Sequence, residues 1–473
     1  MFSYIESVGF IFVFRLDSTH NFNYNIRWII MASVMEKIAL GSRIGFLGLG
    51  KSNLSLISCL PLDNCAVTLR SEKKINRADI PSHIKIEKIL EGVSAFCDID
   101  EQILICSPSI RRERCRGERE VIFTSDCELF LERNKKPLFA VSGSDGKSTT
   151  ATLAHMLLDS SLLVGNIGVP MTESLNKECG CYVAELSSFM LQYASVKAER
   201  ACITNITPNH LDWHKSFEEY RDTKLSLLGA AKECIINADD KVCGEYKSAF
   251  GLISDKHSFA ELKKRDAEVI ITLGDLGIER NGELILPYSR IARKEAHNIK
   301  NLMMAIALTD GYTDNTKINE VASSFSGLPH RCEVFLKKGG AEYINSSIDS
   351  SPARTVQTLE SLGKKVVLLL GGKSKGVGYE ALTASVKKYA ERALIFGENR
   401  EEIYEALKDA ASCEIYADLA SAAVRAMELE SVCEAVLLSP ASTSYDAFSS
   451  FEERGNCFKK IINANKRLQN KGF

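Results

Sequence analysis

Short apolar runs alternate with segments of helical periodicity along the chain from residue 42 onward. The runs RIGFL (43–47), LFAV (138–141) and VVLLL (366–370) each lead into a turn rich in glycine, serine or lysine. Continuous apolar runs of this length are typical of strands buried on both faces of a sheet. Their alternation with helices predicts an α/β fold with mainly parallel sheets, in which ligands collect at the carboxyl ends of the strands.

The length of the chain, 473 residues of which 45% are hydrophobic, suits about three domains with packed cores. Residues 1–34 lack the alternation of strands and helices. The rest of the chain divides into three predicted α/β domains, at residues 35–125, 126–328 and 329–473. The longest apolar run of the first segment, VGFIFVF (8–14), is far shorter than the roughly 18 residues that span a bilayer. We expect no membrane span, and interpret residues 1–34 as an appended tail or an upstream start chosen in error.

Charge and cysteine content narrow the class of protein. A formal net charge of −2 gives no reason to expect nucleic acid as a partner. The 15 cysteines lack the C-x-x-C spacing of a metal site, so we interpret them as reduced thiols of a cytoplasmic protein.

A glycine-containing turn follows the first predicted strand, with Gly48 and Gly50 in the sequence FLGLGKSNLS. Asn53 replaces the third glycine of a dinucleotide-binding fingerprint, and Arg70 stands about 20 residues on, where NAD binding needs an acidic residue. The sequence therefore disfavours NAD. A helix N-terminus and an arginine suit a phosphorylated ligand instead, although a solvated surface charge explains Arg70 equally well.

The strongest motif is the strand, turn and helix of LFAVSGSDGKSTTATLAHMLL (138–158). Its turn is small and glycine-rich, so backbone N–H groups can close on phosphate oxygens at the start of a helix. The Lys147 ammonium is placed to reach terminal phosphates, and the Ser148 hydroxyl is placed to hold Mg²⁺. We predict a phosphate loop formed by Gly143, Ser144, Asp145, Gly146, Lys147, Ser148 and Thr149.

Further polar residues follow strands or begin helices in the same domain. Glu185 in AELSSF and His210 in TNITPNHLDWH have the chemistry of metal ligands. Asn298 and Asn301 share one face of the helix HNIKNLMMAIAL, where they suit recognition of an adenine edge or bracing of a phosphate loop.

In the third domain, Gly-, Ser- and Lys-rich loops at 372–376 and 441–448 follow apolar strands. They suggest an anion site at the carboxyl edge of a sheet, although turn chemistry alone also explains them.

Only Ser144 and Asp145 separate the two glycines of the phosphate loop, and this short form, G-S-D-G-K-S-T, resembles that of the Mur ligase and folylpolyglutamate synthase superfamily. The passages ELSSF (185–189) and SPASTSYDAFSSFEERG (439–455) resemble the members that add D-glutamate. The resemblance implies a Rossmann-like domain that binds uridine diphosphate, a central ATPase domain and a Rossmann-like C-terminal domain. It also implies a monomeric, ATP-dependent ligase of peptidoglycan synthesis whose substrates are UDP-N-acetylmuramoyl-L-alanine and D-glutamate.

The same resemblance implies roles for individual residues. Lys147 would bind the β and γ phosphates of ATP, Ser148 and Glu185 would hold one Mg²⁺, and His210 would hold a second. Lys224 in YRDTKLSLL matches the lysine that the family carbamylates into an anionic metal ligand. The implied contacts with the nucleotide-linked substrate are Ser52, Arg70 and Asn166. Those with ATP are Asn298, Asn301 and Arg331, and those with D-glutamate are Ser350, Lys375, Ser444 and Phe451.

Two positions depart from the family's pattern. Ser346 stands where the family has an aspartate, which puts one nucleotide contact in question, and Ser109 replaces a glycine, which predicts a reshaped or strained loop. Three alternatives stay open: a sister ligase that adds another amino acid, a folylpolyglutamate synthase-like enzyme, and a non-catalytic nucleotide-binding relative. The α/β segment before the phosphate loop argues against the folate enzyme, and the two predicted metal sites argue against a loss of catalysis.

Overall fold

The computed structural model describes residues 33–115, 120–211, 213–374, 376 and 378–469. Residues 1–32 of the predicted tail, and Lys375 of the predicted D-glutamate site, lie outside the described residues. The described chain forms two compact units. The first extends to Tyr288 and includes Ala296–Asn319, and the second comprises Ser289–Glu295 and the residues from Glu320 onward.

The first sheet, in unit 1, has five parallel strands: β1 Arg43–Leu47, β2 Ala66–Ser71, β3 Ile86–Glu91, β4 Ile103–Cys106 and β5 Ile122–Thr124. Their order is β3-β2-β1-β4-β5. Two helices accompany them, α1 Val34–Ala39 and α2 Lys51–Cys59. Helix α1 begins at the last residue of the predicted tail because Ser33 and Glu36 form a capping box there.

The second sheet, also in unit 1, has nine strands in the order β14-β13-β12-β11-β10-β9-β6-β8-β7. The strands are β6 Leu138–Ser142, β7 Ser161–Gly165, β8 Cys181–Glu185, β9 Ala198–Ile203, β10 Ala231–Asn237, β11 Gly251–Ser254, β12 Val269–Gly274, β13 Gly277–Arg280 and β14 Glu283–Pro287. Among these strands, the pairs β12–β13 and β13–β14 at the edge are antiparallel, and the other pairs are parallel. The accompanying helices are α3 Asp126–Arg133, α4 Lys147–Leu157, α5 Met171–Ser174, α6 Ser188–Leu191, α7 Phe217–Gly229, α8 Phe259–Leu262 and α9 Ala296–Leu308. Helix α10, Asn315–Ser324, begins in unit 1 and ends in unit 2.

The third sheet, in unit 2, has six strands in the order β15-β16-β20-β17-β18-β19. The strands are β15 Glu333–Lys338, β16 Ala341–Asn345, β17 Val366–Gly371, β18 Ala390–Phe396, β19 Cys413–Ile415 and β20 Ala435–Leu438. All pairs are parallel except β15 with β16. The helices are α11 Pro352–Leu362, α12 Thr383–Tyr389, α13 Arg400–Leu407, α14 Leu419–Glu428 and α15 Phe451–Gln469.

Three mainly parallel sheets with intervening helices confirm the predicted α/β class. The central strands are buried along their whole length, as in β6 and β17, because helices cover both faces of such a sheet. Across the ranges that the structure describes, no helix has both the length and the apolar character needed to cross a membrane. The domain boundaries at 125/126 and 328/329 stay predictions.

Candidate functional site

Three neighbouring strands of the second sheet end at the same edge. Strand β6 lies between β8 and β9, and its register pairs Val141 with Glu185 and Ser142 with Ile203. The segments after these strand ends are the predicted phosphate loop, the ELSSF segment and the TNITPNH segment. Parallel pairing therefore brings three separately predicted motifs to one place.

Two glycines allow the phosphate loop its close turn. Gly143 and Gly146 have φ values of 144° and 79°, which side-chain-bearing residues rarely adopt. A Cβ atom on Gly143 would collide with the Thr204 hydroxyl, and one on Gly146 would collide with the Asn301 amide. Gly146 is the N-cap of α4 and offers no side-chain acceptor. The first-turn N–H groups of α4 are thus suited to bind an anion.

Side chains from neighbouring segments hold the loop in this form. The Ser144 hydroxyl lies 2.8 Å from the Tyr220 hydroxyl and accepts the Thr207 N–H at 2.9 Å, and the Asp145 N–H donates to Asn205 Oδ1 at 3.0 Å. These contacts, which the sequence did not reveal, prearrange the loop before any ligand binds.

The Lys147 ammonium lies over the same loop, where it donates to the Ser144 carbonyl oxygen at 2.7 Å. Ser148 and Thr149 follow it in the first turn of α4, with Ser148 half-buried and Thr149 buried. All seven residues predicted for the phosphate loop therefore lie in one turn and the helix start that follows it.

Glu185 is a buried carboxylate at the end of β8. The residue is 1% exposed, and its Oε1 accepts the side-chain N–H of Asn166 at 2.8 Å. Its Oε2 makes no hydrogen bond within the described part of the chain. A buried, unpaired carboxylate oxygen is costly unless a cation or donor binds it, and Mg²⁺ prefers oxygen ligands. The donor set of Glu185 therefore fits the Mg²⁺ that was predicted here.

Lys224 is buried beneath the phosphate loop. It is 1% exposed, and its Nζ donates to the Gly143 carbonyl oxygen at 2.7 Å and lies 3.4 Å from Ser142 Oγ. In the described ranges it forms no ion pair. Burial, reinforced by the nearby Lys147 charge, lowers the pKa of Lys224 to about 7. The lysine is thus poised to lose its proton near neutral pH, which no solvated surface lysine would do.

His210 lies on the surface of the same region in an unusual backbone conformation, with a φ of 53°. Its ring packs edge-on against Phe189, with the ring centroids 5.0 Å apart. Within the described residues, no three His, Cys, Asp or Glu side chains form a ready-made metal site. The protein side chains here do not by themselves complete the two predicted Mg²⁺ sites.

The two predicted asparagines lie on the buried face of α9. Asn298 is 9% exposed and Asn301 is 7% exposed, and the Asn301 Oδ1 accepts from the Thr150 hydroxyl at 3.4 Å. Because Asn301 also lies against Gly146, it braces the phosphate loop. This is one of the two roles predicted for the pair.

The first sheet carries the residues predicted for the uridine diphosphate. Ser52 is half-buried in the first turn of α2, at the carboxyl edge of the sheet. Arg70 is 1% exposed and donates to both carboxylate oxygens of Glu101 and to three backbone carbonyls, those of Ala95, Cys97 and Asp98. Its donors therefore face the protein. The interpretation of Arg70 as a solvated charge was wrong.

Ser109 is not strained. Its φ lies outside the left-handed region, and its hydroxyl lies 3.3 Å from the Ser107 hydroxyl. Of the two outcomes predicted for this serine, a reshaped loop or a strained backbone, the strained backbone is not observed.

The predicted D-glutamate residues that the structure describes gather at the carboxyl edge of the third sheet. Ser350 follows β16, Ser444 follows β20, and Phe451 begins α15 with its ring 6.1 Å from that of His330. Arg331 lies at the same edge because β15, which starts beside it, runs antiparallel to β16. Unit 2 thus has its own cluster of predicted binding residues.

Arg454 is a buried residue of this edge that sequence reasoning did not single out. It is 0% exposed and donates to Ser347 Oγ and to the carbonyls of Ser347, Ser442 and Thr443. One guanidinium thereby ties the loops after β16 and β20 together. The available signal was its position three residues after Phe451 and four before Phe458, on the apolar face of α15.

Comparison with known proteins agrees with this geometry. The model of the Mur ligase middle domain matches residues 141–309. A Ruminiclostridium cellulolyticum protein named UDP-N-acetylmuramoylalanine--D-glutamate ligase is 31% identical over 463 residues, 90% of this chain and 98% of that protein. A protein of the same name from Acetivibrio thermocellus is 31% identical over 466 residues, 91% of this chain and 98% of its own.

Solved structures show a similar fold at lower identity. The UDP-N-acetylmuramate-alanine ligase MurC from Thermotoga maritima has a TM-score of 0.55 and 18% identity, covering 90% of this chain and all of its own. MurF from Acinetobacter baumannii has a TM-score of 0.54 and 14% identity, covering 88% of this chain and 93% of its own. The relatives that match nearly the whole chain, together with the phosphate loop, show that the chain belongs to the Mur ligase family of ATP-dependent ligases in peptidoglycan synthesis.

Proposed function

We propose that this chain uses ATP to join D-glutamate to UDP-N-acetylmuramoyl-L-alanine through an acyl phosphate. The observation that carries the proposal is 31% identity over 90% of the chain to a protein named for that reaction. The predicted monomeric state and cytoplasmic location are part of the same proposal.

The chemistry explains why the phosphate loop is needed. A carboxylate is a poor acyl donor, so the alanyl carboxylate oxygen first attacks the γ phosphorus of ATP, and ADP leaves. The amine of D-glutamate then attacks the acyl carbon, loses a proton, and inorganic phosphate leaves. Both steps concentrate negative charge, which the Lys147 ammonium and the N–H groups of α4 are placed to offset.

We propose that Ser148 and Glu185 hold one Mg²⁺ and that His210 contributes to a second. The buried, unpaired Oε2 of Glu185 supports the first assignment. Bound Mg²⁺ would supply positive charge against the phosphate oxygens. Asn166 supports the same carboxylate through its hydrogen bond to Oε1, so it orients Glu185 in addition to its proposed contact with the muramoyl group.

We also propose that Lys224 becomes a carbamate. The neutral amine attacks CO₂, forming an N–C bond, and the product releases a proton to become anionic. The reaction needs an unprotonated amine, and a pKa of about 7 supplies a large neutral fraction at physiological pH. The resulting oxygens would add an anionic metal ligand to a region in which the described carboxylates and histidines form no complete site.

In unit 2, we propose that the loops after β16, β17 and β20 bind D-glutamate. Serine hydroxyls at Ser350 and Ser444 and the ammonium of Lys375 suit the two carboxylates of a dicarboxylic amino acid. Arg331 is proposed to bind the nucleotide.

Phosphate release tests the proposal directly. Purified full-length chain is given Mg·ATP, UDP-N-acetylmuramoyl-L-alanine and one amino acid from a panel of D-glutamate, L-glutamate, L-alanine and meso-diaminopimelate. We expect turnover with D-glutamate and far weaker turnover with the others, with Lys147→Ala as the control for contaminating ATPase. Turnover with L-alanine or diaminopimelate in its place would assign the chain to a sister ligase.

A further inference from the structure

The loop that carries Arg331 has an unusual backbone. His330 and Cys332, on either side of the arginine, have φ values of 62° and 45°. These are left-handed conformations, which residues with side chains keep only when surrounding contacts impose them. Arg331 itself is exposed. The direction of its guanidinium therefore depends on the contacts that hold its two neighbours.

Different groups hold the two sides of the loop. The His330 N–H donates to Glu333 Oε2 at 2.9 Å, and its ring Nδ1 lies 2.9 Å from the side-chain nitrogen of Asn345. On the other side, the Cys332 N–H donates to Ser346 Oγ at 3.2 Å. Ser346 is fully buried, so no water competes for this bond.

Asp349 lies in the same turn as Ser346. The aspartate is 5% exposed, and its Oδ2 accepts the hydroxyls of Thr358 and Ser439, each at 2.8 Å. The Asp349 N–H donates to the Ser346 carbonyl oxygen at 2.9 Å, and the nearby Ser346 hydroxyl favours the charged form of the Asp349 carboxylate. A serine hydroxyl that accepts the Cys332 N–H keeps its own proton available for a nearby acceptor such as the Asp349 carboxylate.

We infer that Ser346 and Asp349 are positioning residues for Arg331. The connection begins on two rigid elements, α11 through Thr358 and the end of β20 through Ser439. It passes through Asp349 and Ser346 to the backbone of Cys332, and so fixes the left-handed residue beside the arginine. This inference rests on the proposed function, in which Arg331 binds ATP, and it gives a role to the serine that departs from the family's pattern.

Calorimetric titration of the full chain with Mg·ATP tests the inference without requiring turnover. Ser346→Ala should weaken ATP affinity about tenfold, which is the scale of one lost hydrogen bond. Ser385→Ala is a matched control, because Ser385 is also a buried serine of unit 2 that donates to a carboxylate, Glu360, at 3.4 Å. We expect wild-type affinity in this control.

Two combinations separate positioning from general damage. In an Arg331→Ala background, Ser346→Ala should produce no further loss of ATP affinity, because its effect acts through the arginine. Asp349→Asn and Ser346→Ala combined should weaken binding no more than the stronger single change.

Equal ATP affinity in wild type and Ser346→Ala, or an undiminished further loss in the Arg331→Ala background, would overturn the inference alone. An absence of ATP binding by the wild type would instead remove the proposed function, and the inference with it.

Discussion

Two buried cations of unit 1, Arg70 and Lys224, have the same exposure but differ in their ion pairing among the described residues. Each is 1% exposed, and each was predicted to serve a ligand. Arg70 pairs with Glu101, with Nε 2.8 Å from Oε1, and directs its remaining N–H groups to carbonyls. Lys224 has a carbonyl and a hydroxyl as partners and forms no ion pair in the described ranges.

The difference shows that burial alone does not reveal whether a charged residue has a structural or a chemical role. A buried charge that is paired and fully hydrogen-bonded is a structural element, whereas a buried charge without a counter-ion is under pressure to lose its proton. The lowered pKa of Lys224 expresses that pressure. We therefore expect chemistry from Lys224 and stability from Arg70.

The largest expected effect comes from Lys224→Ala. Loss of the proposed carbamate should reduce the rate of phosphate release on the order of a thousandfold while the chain stays folded, as measured by circular dichroism. Lys224→Arg should be nearly as inactive because a guanidinium cannot form the carbamate. Formate should restore part of the activity of Lys224→Ala.

Lys232→Ala, at an exposed lysine paired with Glu199, is the matched control, and its rate of phosphate release should be close to that of the wild type. A Lys224→Arg variant with most of the wild-type rate would contradict the carbamate proposal.

Lys147, a cation on the phosphate loop itself, gives a second test of the comparison between Arg70 and Lys224. Lys147→Ala should reduce the rate about a hundredfold, because it leaves the transferring phosphoryl charge less neutralised. The measurement is phosphate release at saturating ATP. Activity close to that of the wild type would mean that Lys147 only closes the loop through its bond to the Ser144 carbonyl.

Arg70→Met should act on stability. Removing the guanidinium leaves Glu101 buried and unpaired, so the free energy of unfolding should fall by about 3–5 kcal/mol in denaturant titrations. Adding Glu101→Leu should recover part of that loss. The folded fraction of the double variant should keep the KM of the wild type for the nucleotide-linked substrate. If the Arg70 variants instead had a raised KM for the nucleotide-linked substrate and no loss of stability, Arg70 would be a ligand-binding residue.

The last prediction is a pH dependence of stability, which develops gradually over several pH units. The pKa of Lys224 is lowered in the folded state, so between about pH 7 and 10.5 the unfolded chain binds more protons than the folded one. The free energy of unfolding of the wild type, measured without CO₂ and relative to Lys224→Met, should therefore rise with pH across this window. A difference that is flat with pH would show that the lysine keeps an ordinary pKa.

Sequence reasoning reached the fold class and the phosphate loop for a common reason. Continuous apolar runs and a glycine-rich turn before a helix are local patterns, and local geometry follows from them directly, as in the run leading to Gly143 and Gly146. It missed Arg454 and the loop contacts of Tyr220, because their partners are distant in the sequence. For Arg454, the one local signal in the sequence was its position on the apolar face of a predicted helix.

The sequence by itself determined which residue types stand at the key positions: glycines where φ is positive, Glu185 at the end of β8, and Lys224 on a helix. Only the tertiary structure decided which of these side chains are buried with hydrogen-bond or ion-pair partners and which are buried without them in the described part of the chain. Strand order placed Glu185 beside the phosphate loop with one oxygen unsatisfied, and helix packing buried Lys224 beneath the loop. The same packing gave Arg70 a carboxylate 31 residues away in the chain. Electrostatic surroundings depend on neighbours in space, which a local sequence pattern does not specify.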